Sequence, residues 1–397
     1  MQSYLKKRVI LNIFIIFIIC FAEYVCAQFG YKKVDDDPIA EFQKIDFYSK
    51  SYYNRVEGIV LHGGIFLNKA RVWPFITCFQ GAFGTKNQKV QYDISVQRWL
   101  FSTTRQLLLK MDCFQRTVTN DDWKIGKIEN SYAGVLLRED FYDHFTRKGW
   151  RILAEQSISS NNRVRIEFSG YDYISMPVNT NFAGSIFGGH KKFRRNPKIP
   201  EGYENSIKVS FMIDSRNNLF FPTEGVYLEG TLEKTFADFN TNGLFLKTCF
   251  FLPVIYKNKF IITGMLGLRS GSTAPQHLIP IGGIGSLRAF PDYYRHGQNF
   301  LFARIIYHFG GSIINLQPLK KVPTSDATSL ALFFECGDAW NFKHKTSLLD
   351  GITNTDIVYD AGISLLLADG IFRVDFARQI FKGNNNWRIT FRLFNQL

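Results

Sequence analysis

The chain is 397 residues long, 46% hydrophobic and 16% aromatic, with 39 Phe and 18 Tyr. So much apolar surface excludes a disordered chain, and outside the N-terminus no run approaches the ~18 apolar residues a spanning helix needs. The formal charge of +14 would suit nucleic acid if it gathered in one patch, but basic residues such as Arg163/Arg165 and Arg388/Arg392 alternate with apolar neighbours, so no nucleic-acid partner is expected.

Residues 1–27 read as a signal peptide for Sec export. Lys6, Lys7 and Arg8 precede an apolar stretch from Val9 to Ala22, interrupted only by Asn12, and Val25-Cys26-Ala27 offers small residues before a cut ahead of Gln28. The alternative is an uncleaved membrane anchor. Removing the segment takes away three positive and one negative charge and leaves 370 residues carrying +12. Cys78, Cys113, Cys249 and Cys336 then remain, with no CxxC pair, so neither a metal site nor a disulfide framework is indicated. Residues 28–50, with Asp35-Asp36-Asp37-Pro38, are expected to be a polar periplasmic lead-in, and 51–397 a barrel.

From there period-two patterning dominates. Val164, Ile166 and Phe168 alternate with Arg163, Arg165 and Glu167; Ile207, Val209, Phe211 and Ile213 with Lys208, Ser210 and Asp214. Near the end Phe372, Val374 and Phe376 alternate with Arg373 and Asp375, then Trp387, Ile389, Phe391 and Leu393 with Arg388, Thr390 and Arg392. Strict alternation means strands with one apolar and one polar face. Candidate strands fall at 52–67, 69–81, 90–101, 105–117, 130–140, 149–157, 163–175 and 205–213, then at 224–235, 241–256, 259–271, 299–310, 329–340, 357–368, 370–379 and 387–397. That is about sixteen, an even number as bacterial barrels require.

Alternation alone also fits a soluble sandwich. Charged pairs such as Arg373/Asp375 on the polar face, with no helical layer to cover the apolar one, favour an all-β transmembrane antiparallel barrel. A mean hydropathy of −0.09 with many aromatics agrees, because lipid-facing and lumen-facing residues average out. Asn161-Asn162 and Ala368-Asp369-Gly370 read as tight turns, whereas 176–204, 271–298 and 341–356 are long. The cluster His190-Lys191-Lys192-Phe193-Arg194-Arg195 is either a solvated loop face, the favoured reading, or a contact for lipopolysaccharide.

Four motifs in order carry a family resemblance. Asp214-Ser215-Arg216-Asn217 and Phe221-Pro222-Thr223-Glu224-Gly225 resemble the D-x-R-(D/N)…F-P-T-x-G turn of the BamA/TamA outer-membrane barrel family, also called bacterial surface antigens. Gly282-Gly283-Ile284-Gly285-Ser286-Leu287-Arg288-Ala289-Phe290 is similar to the family's G-G-x-x-S-(V/L)-R-G-(F/Y) loop, and Phe333-Phe334-Glu335-Cys336-Gly337-Asp338-Ala339-Trp340 to its F-F-D-x-G-D-x-W strand. The last strand, with Trp387, Ile389, Phe391, Leu393 and Leu397, keeps the pattern that serves as the family's C-terminal assembly signal. Ala289, Glu335 and Leu397 stand where the family usually has Gly, Asp and Phe, and the chain has no room for the family's periplasmic POTRA domains.

The resemblance implies a loop folded into the lumen, Gly282, Gly283, Leu287, Arg288, Ala289 and Phe290 forming its motif. It implies a partner strand carrying Phe334, Glu335, Gly337 and Asp338, with Arg288 pairing bidentately to Glu335. For function it implies protein or lipid assembly or translocation at the outer membrane of a Gram-negative bacterium, as an accessory to a larger complex. The partners implied are outer-membrane lipid, lipopolysaccharide and other assembly components. Alternatives are a transport pore or structural surface protein and, behind those, a barrel-type lipid hydrolase. No GxSxG elbow, P-loop or HExxH pair is present, so neither an enzyme nor a cofactor is expected.

Overall fold

Because alternation places one face of each strand in apolar surroundings, the first question is which face lies outside. The structure, a computed structural model, describes residues 45–67, 75–101, 106–182, 191–219, 221–255, 257–310, 328–341, 356–367, 372–380 and 387–393. The leader, the Ala368-Asp369-Gly370 turn and Leu397 lie outside the described residues.

Five strands come first: β1 (Ile45–Asn54), β2 (Gly58–Leu67), β3 (Ile76–Gly84), β4 (Val90–Leu100) and β5 (Leu107–Val118). A helix α1 (Lys127–Leu137) precedes β6 (Phe145–Ser157), β7 (Arg163–Ser175), β8 (Gly202–Asp214), β9 (Gly225–Ala237), β10 (Thr241–Pro253) and β11 (Lys259–Gly271). A short hairpin of β12 (Ile279–Ile281) and β13 (Arg295–Gly297) interrupts the series. The chain then runs through β14 (Asn299–Phe309), β15 (Ser329–Trp340), β16 (Val358–Leu367), β17 (Phe372–Ile380) and β18 (Trp387–Leu393). All strands but the hairpin form one sixteen-stranded antiparallel sheet in which neighbours in sequence are neighbours in space. It is a meander of the barrel type whose first and last strands are brought to one element: Glu129, between β5 and β6, meets Arg392 on the last strand, and Ser131 meets Tyr53 on the first. The long connections 119–144, 176–201 and 272–298 all leave from one rim.

Two sequence expectations are corrected, and they offset each other in the count. The stretch 52–67 is not one strand but the end of β1, a turn and β2, and β1 begins at Ile45, inside the expected lead-in 28–50: Asn54 Oδ1 accepts the N–H groups of Val56 and Glu57 at 3.0 and 2.7 Å, an Asx turn that reverses the chain. The stretch 130–140 is not a strand but most of α1. Its sequence KIENSYAGVLL includes the good helix formers Lys127, Glu129, Ala133, Leu136 and Leu137, and it ends where Arg138 turns left-handed (φ 55°) and Glu139 N–H returns to the Ala133 carbonyl at 3.1 Å. Its buried face is Glu129, Asn130, Ala133 and Gly134, small and polar, so no apolar helical stripe marked it.

The outer face is apolar and the interior charged. Ile207, Val209, Phe211 and Ile213 of β8 are all exposed, as are Trp387, Ile389 and Phe391 of β18. Asp112, Glu155, Glu233, Asp375 and Arg392 are buried. They are paired there: Arg151 with Asp112 at 2.9 Å, Lys208 with Glu233 at 2.9 Å. A water-soluble protein has the opposite distribution; a membrane barrel requires this one.

Phe391 is 68% exposed, the most of any residue on β18. Phe391→Arg should therefore lower barrel stability by about 2–4 kcal/mol if the site lies near the bilayer midplane, read as a lower urea midpoint in liposomes. Unchanged stability would mean that the outer face had been assigned wrongly.

Candidate functional site

The connection 272–298 does not leave the barrel. Gln276 and His277 are buried at its start, where His277 Nε2 lies 2.7 Å from Glu204 Oε2 on β8. Between β12 and β13 the chain coils tightly: Gly282 N–H donates to Ser286 Oγ (3.1 Å) and Phe290 N–H to the Leu287 carbonyl (2.9 Å). At Gly285 (φ +89°) a Cβ would stand 2.3 Å from the Lys124 carbonyl oxygen, so only glycine fits. Gly283 (φ +83°) is enclosed by Asp292, whose Oδ1 accepts the Ile284 N–H at 2.9 Å. Ala289 has a conformation any residue adopts, which is how it replaces the family's glycine here.

Leu287 and Phe290 are completely buried. They pack with Ile281 and Ala289 on Phe251, Ile261, Phe300, Phe302 and Phe333, the inward-facing residues of β10, β11, β14 and β15. These strands are apolar on both faces, because the loop gives their inner side an apolar partner. That double-sided pattern was the sequence signal for the loop's seat, and it went unread.

At the centre is Arg288, with 1% of its side chain exposed. Its N–H donates to Glu335 Oε2 at 3.0 Å, and Nε lies 3.2 Å from Glu335 Oε1. Nη1 donates to Asp375 Oδ1 and Ser364 Oγ, both at 3.1 Å, while the guanidinium sits 4.1 Å over the Phe333 ring. The fork is thus not bidentate on Glu335, as the resemblance implied, but shared between Glu335 and Asp375. Glu335 Oε1 is also engaged by Arg304, its cross-strand partner on β14, and Asp375 by Arg373 at 3.0 Å. Asp360 accepts the Ala289 N–H at 2.7 Å. Burial opposes the charge of Arg288, but Asp375, Glu335 and Asp360 outweigh it and hold its pKa above the ordinary arginine value. Arg288, Arg304 and Arg373 thus meet Glu335, Asp360 and Asp375 in one buried network.

Of the other residues singled out in the sequence, Asp338 is buried beside Arg295 of β13, and Gly337 lets the Leu301 backbone approach. Phe334 is 38% exposed, on the outer face beside Ile305, not in the lumen. Within the cationic cluster Lys191 pairs with Glu139 and Arg194 with Asp143, while Lys192 is exposed; His190 lies outside the described residues. Sequence reasoning missed Arg304 and Asp360, each an inward charge on a strand correctly located, and placed Asp375 on the polar face without its tie to Arg288. It also missed a knot around Asp140, whose carboxylate contacts His144 (2.9 Å), Arg55 (3.2 Å) and Asn130 (2.9 Å). Burial opposes that carboxylate's charge, but His144 and Arg55 hold its pKa well below the usual range. Cys78, Cys113, Cys249 and Cys336 are all free.

A conserved domain description, the Omp85 superfamily domain, matches residues 149–394, from within β6 to the end of β18. The chain belongs to the Omp85 superfamily. No curated relative matches it in sequence. In three dimensions it is similar to BamA from Haemophilus ducreyi lacking POTRA domains 1–3, with a TM-score of 0.54 and 12% identity over 88% of this chain and 74% of that one. It also matches CdiB from Acinetobacter baumannii (TM-score 0.40, 11% identity) and from Escherichia coli (0.39, 9%), each over 88% of this chain and 59% and 61% of theirs. The Omp85 assignment makes this an outer-membrane type of barrel, of a superfamily concerned with protein assembly and translocation.

Two outcomes follow for the loop. Arg288→Ala leaves Glu335 with Arg304 and Asp375 with Arg373, whereas Glu335→Ala takes the carboxylate from Arg304 and one of two from Arg288, so Glu335→Ala should cost about 3–5 kcal/mol and Arg288→Ala less. Protease sensitivity of 272–298 reports the loss, and the double variant should fall short of the sum; strictly additive effects would show that the groups act separately. Gly285→Ala should loosen the loop by about 1–3 kcal/mol through backbone strain, whereas Ala289→Gly should change the same assay little.

Proposed function

We propose that this barrel inserts or translocates proteins at the outer membrane, with the 272–298 loop as the internal element that keeps it closed at rest. The carrying observation is the Arg288 network. A membrane barrel that only conducted solutes would gain nothing from filling its lumen with a loop held by buried charges on three successive strands, β15, β16 and β17. On this reading residues 1–27 direct export, 28–44 form a lead-in to β1, and β18, with Trp387, Ile389, Phe391, Leu393 and the terminal Leu397, acts as the assembly signal. The outer apolar band meets lipid, and lipopolysaccharide is its ligand at the rim that carries the long loops. The barrel works as an accessory among other assembly components and performs no chemistry of its own.

Proteoliposomes holding the purified barrel, offered a small urea-unfolded outer-membrane barrel, should fold it on the order of tenfold faster than empty liposomes, ~1.4 kcal/mol off the barrier. Arg288→Ala should lose most of that gain. No acceleration, together with a large steady current in planar bilayers, would replace this reading with that of a transport pore.

A further inference from the structure

The first and last strands of the sheet meet one structural element in common. Among the described residues no backbone ladder joins β1 to β18; what joins them is α1. On the β18 side, Glu129 of α1 takes the Arg392 guanidinium at 2.7 and 3.0 Å, with both side chains less than a tenth exposed. Glu129 Oε1 also accepts the backbone N–H of Leu393 at 2.8 Å. On the β1 side, Ser131 Oγ accepts the backbone N–H of Tyr53 at 3.1 Å. Lys127 Nζ lies 3.5 Å over the Tyr52 ring, and the Tyr53 ring packs against Gly134, where a Cβ would come within 3.0 Å of it.

The two backbone contacts decide what α1 does. In an antiparallel pair each N–H points either to the partner strand or away from it. Tyr53 is opposite Ile59 on β2, and Leu393 opposite Phe372 on β17. Amides that reach Ser131 and Glu129 are therefore those of the free edges, the groups through which an extended chain would join the sheet. We propose that α1 is a latch: it holds the two edges of the seam from inside the barrel and occupies their donors until it is displaced. The part of this inference concerning client entry rests on the assembly reading above. The latch itself does not.

Amide hydrogen exchange in detergent tests the latch alone. In Glu129→Ala/Ser131→Ala the Tyr53 and Leu393 amides should exchange on the order of tenfold faster or more, while Ile261 and Phe302, in the middle of the sheet, keep their protection. Unchanged exchange at the two edges overturns the latch. A second variant covers a failure of the first to fold: Tyr53→Cys/Ser131→Cys, in a Cys113→Ser background because Cys113 is exposed, ties α1 to β1. The pair should oxidise readily, and absence of the crosslink would refute the geometry. Oxidised, the barrel should lose insertion of the small unfolded barrel, and reduction should restore it. Equal insertion in both states sinks the latch and leaves the assembly function standing, whereas a wild-type barrel that inserts nothing sinks that function while exchange still decides the latch.

Discussion

A guanidinium as deeply buried as that of Arg288 stays charged only if carboxylates replace the water it has lost. The surrounding structure follows from that requirement. Glu335, Asp360 and Asp375 come from β15, β16 and β17, so the loop can be seated only after those strands are in register. A shift of one residue in any of them would turn its carboxylate to the outer face. Arg304 and Arg373 complete the set, each facing a carboxylate that Arg288 also contacts. Loop and wall therefore specify each other. The apolar half of the contact, Leu287 and Phe290 on Phe300, Phe302 and Phe333, supplies burial, while the charges fix position.

The same logic extends around the sheet. Inward charges are neutralised between adjacent strands, as with Arg151 and Asp112 on β6 and β5, and Arg165 and Glu155 on β7 and β6. Such pairs keep the lumen polar without a large net field and bind each strand to its neighbour beyond the backbone ladder. Where they give way to inward phenylalanines, the loop lies underneath.

How much of this could be read in the sequence depended on whether the signal was periodic. β7, β11 and β15 coincide with the expected stretches: β7 alternates cleanly, and β11 and β15, apolar on both faces, are continuous runs of strand-forming residues. α1 was missed because its buried face is chosen for hydrogen bonding and close approach, not for apolar area. The β1–β2 turn was missed because Val56 continues the alternation through residues that turn on the Asn54 side chain. The loop motif and Glu335 were legible through family resemblance, but the sharing of Arg288 with Asp375 was not, because it joins residues 87 positions apart across strands whose register no local pattern states.

The two internal elements are one body, and this constrains how the barrel can open. Gly285 of the loop lies against the backbone of Lys124, three residues before α1. Ile284 packs with Ile125 and Tyr142, and Tyr293 donates to Asp121 at 2.6 Å. Arg392, held by Glu129, also donates to the Lys124 carbonyl at 3.2 Å. A displacement of α1 from the seam therefore pulls on the segment that Gly285 touches, and Gly285 is three residues from Arg288. Conversely, the loop cannot rise out of the lumen while Lys124 and Tyr293 hold it to the connection that carries α1. The seam contacts at Glu129 and Ser131 and the lumen contacts at Arg288 thus belong to a single plug fastened at two places. Each fastening is a set of buried polar contacts that is costly to break singly, so the plug is expected to move as a unit or not at all.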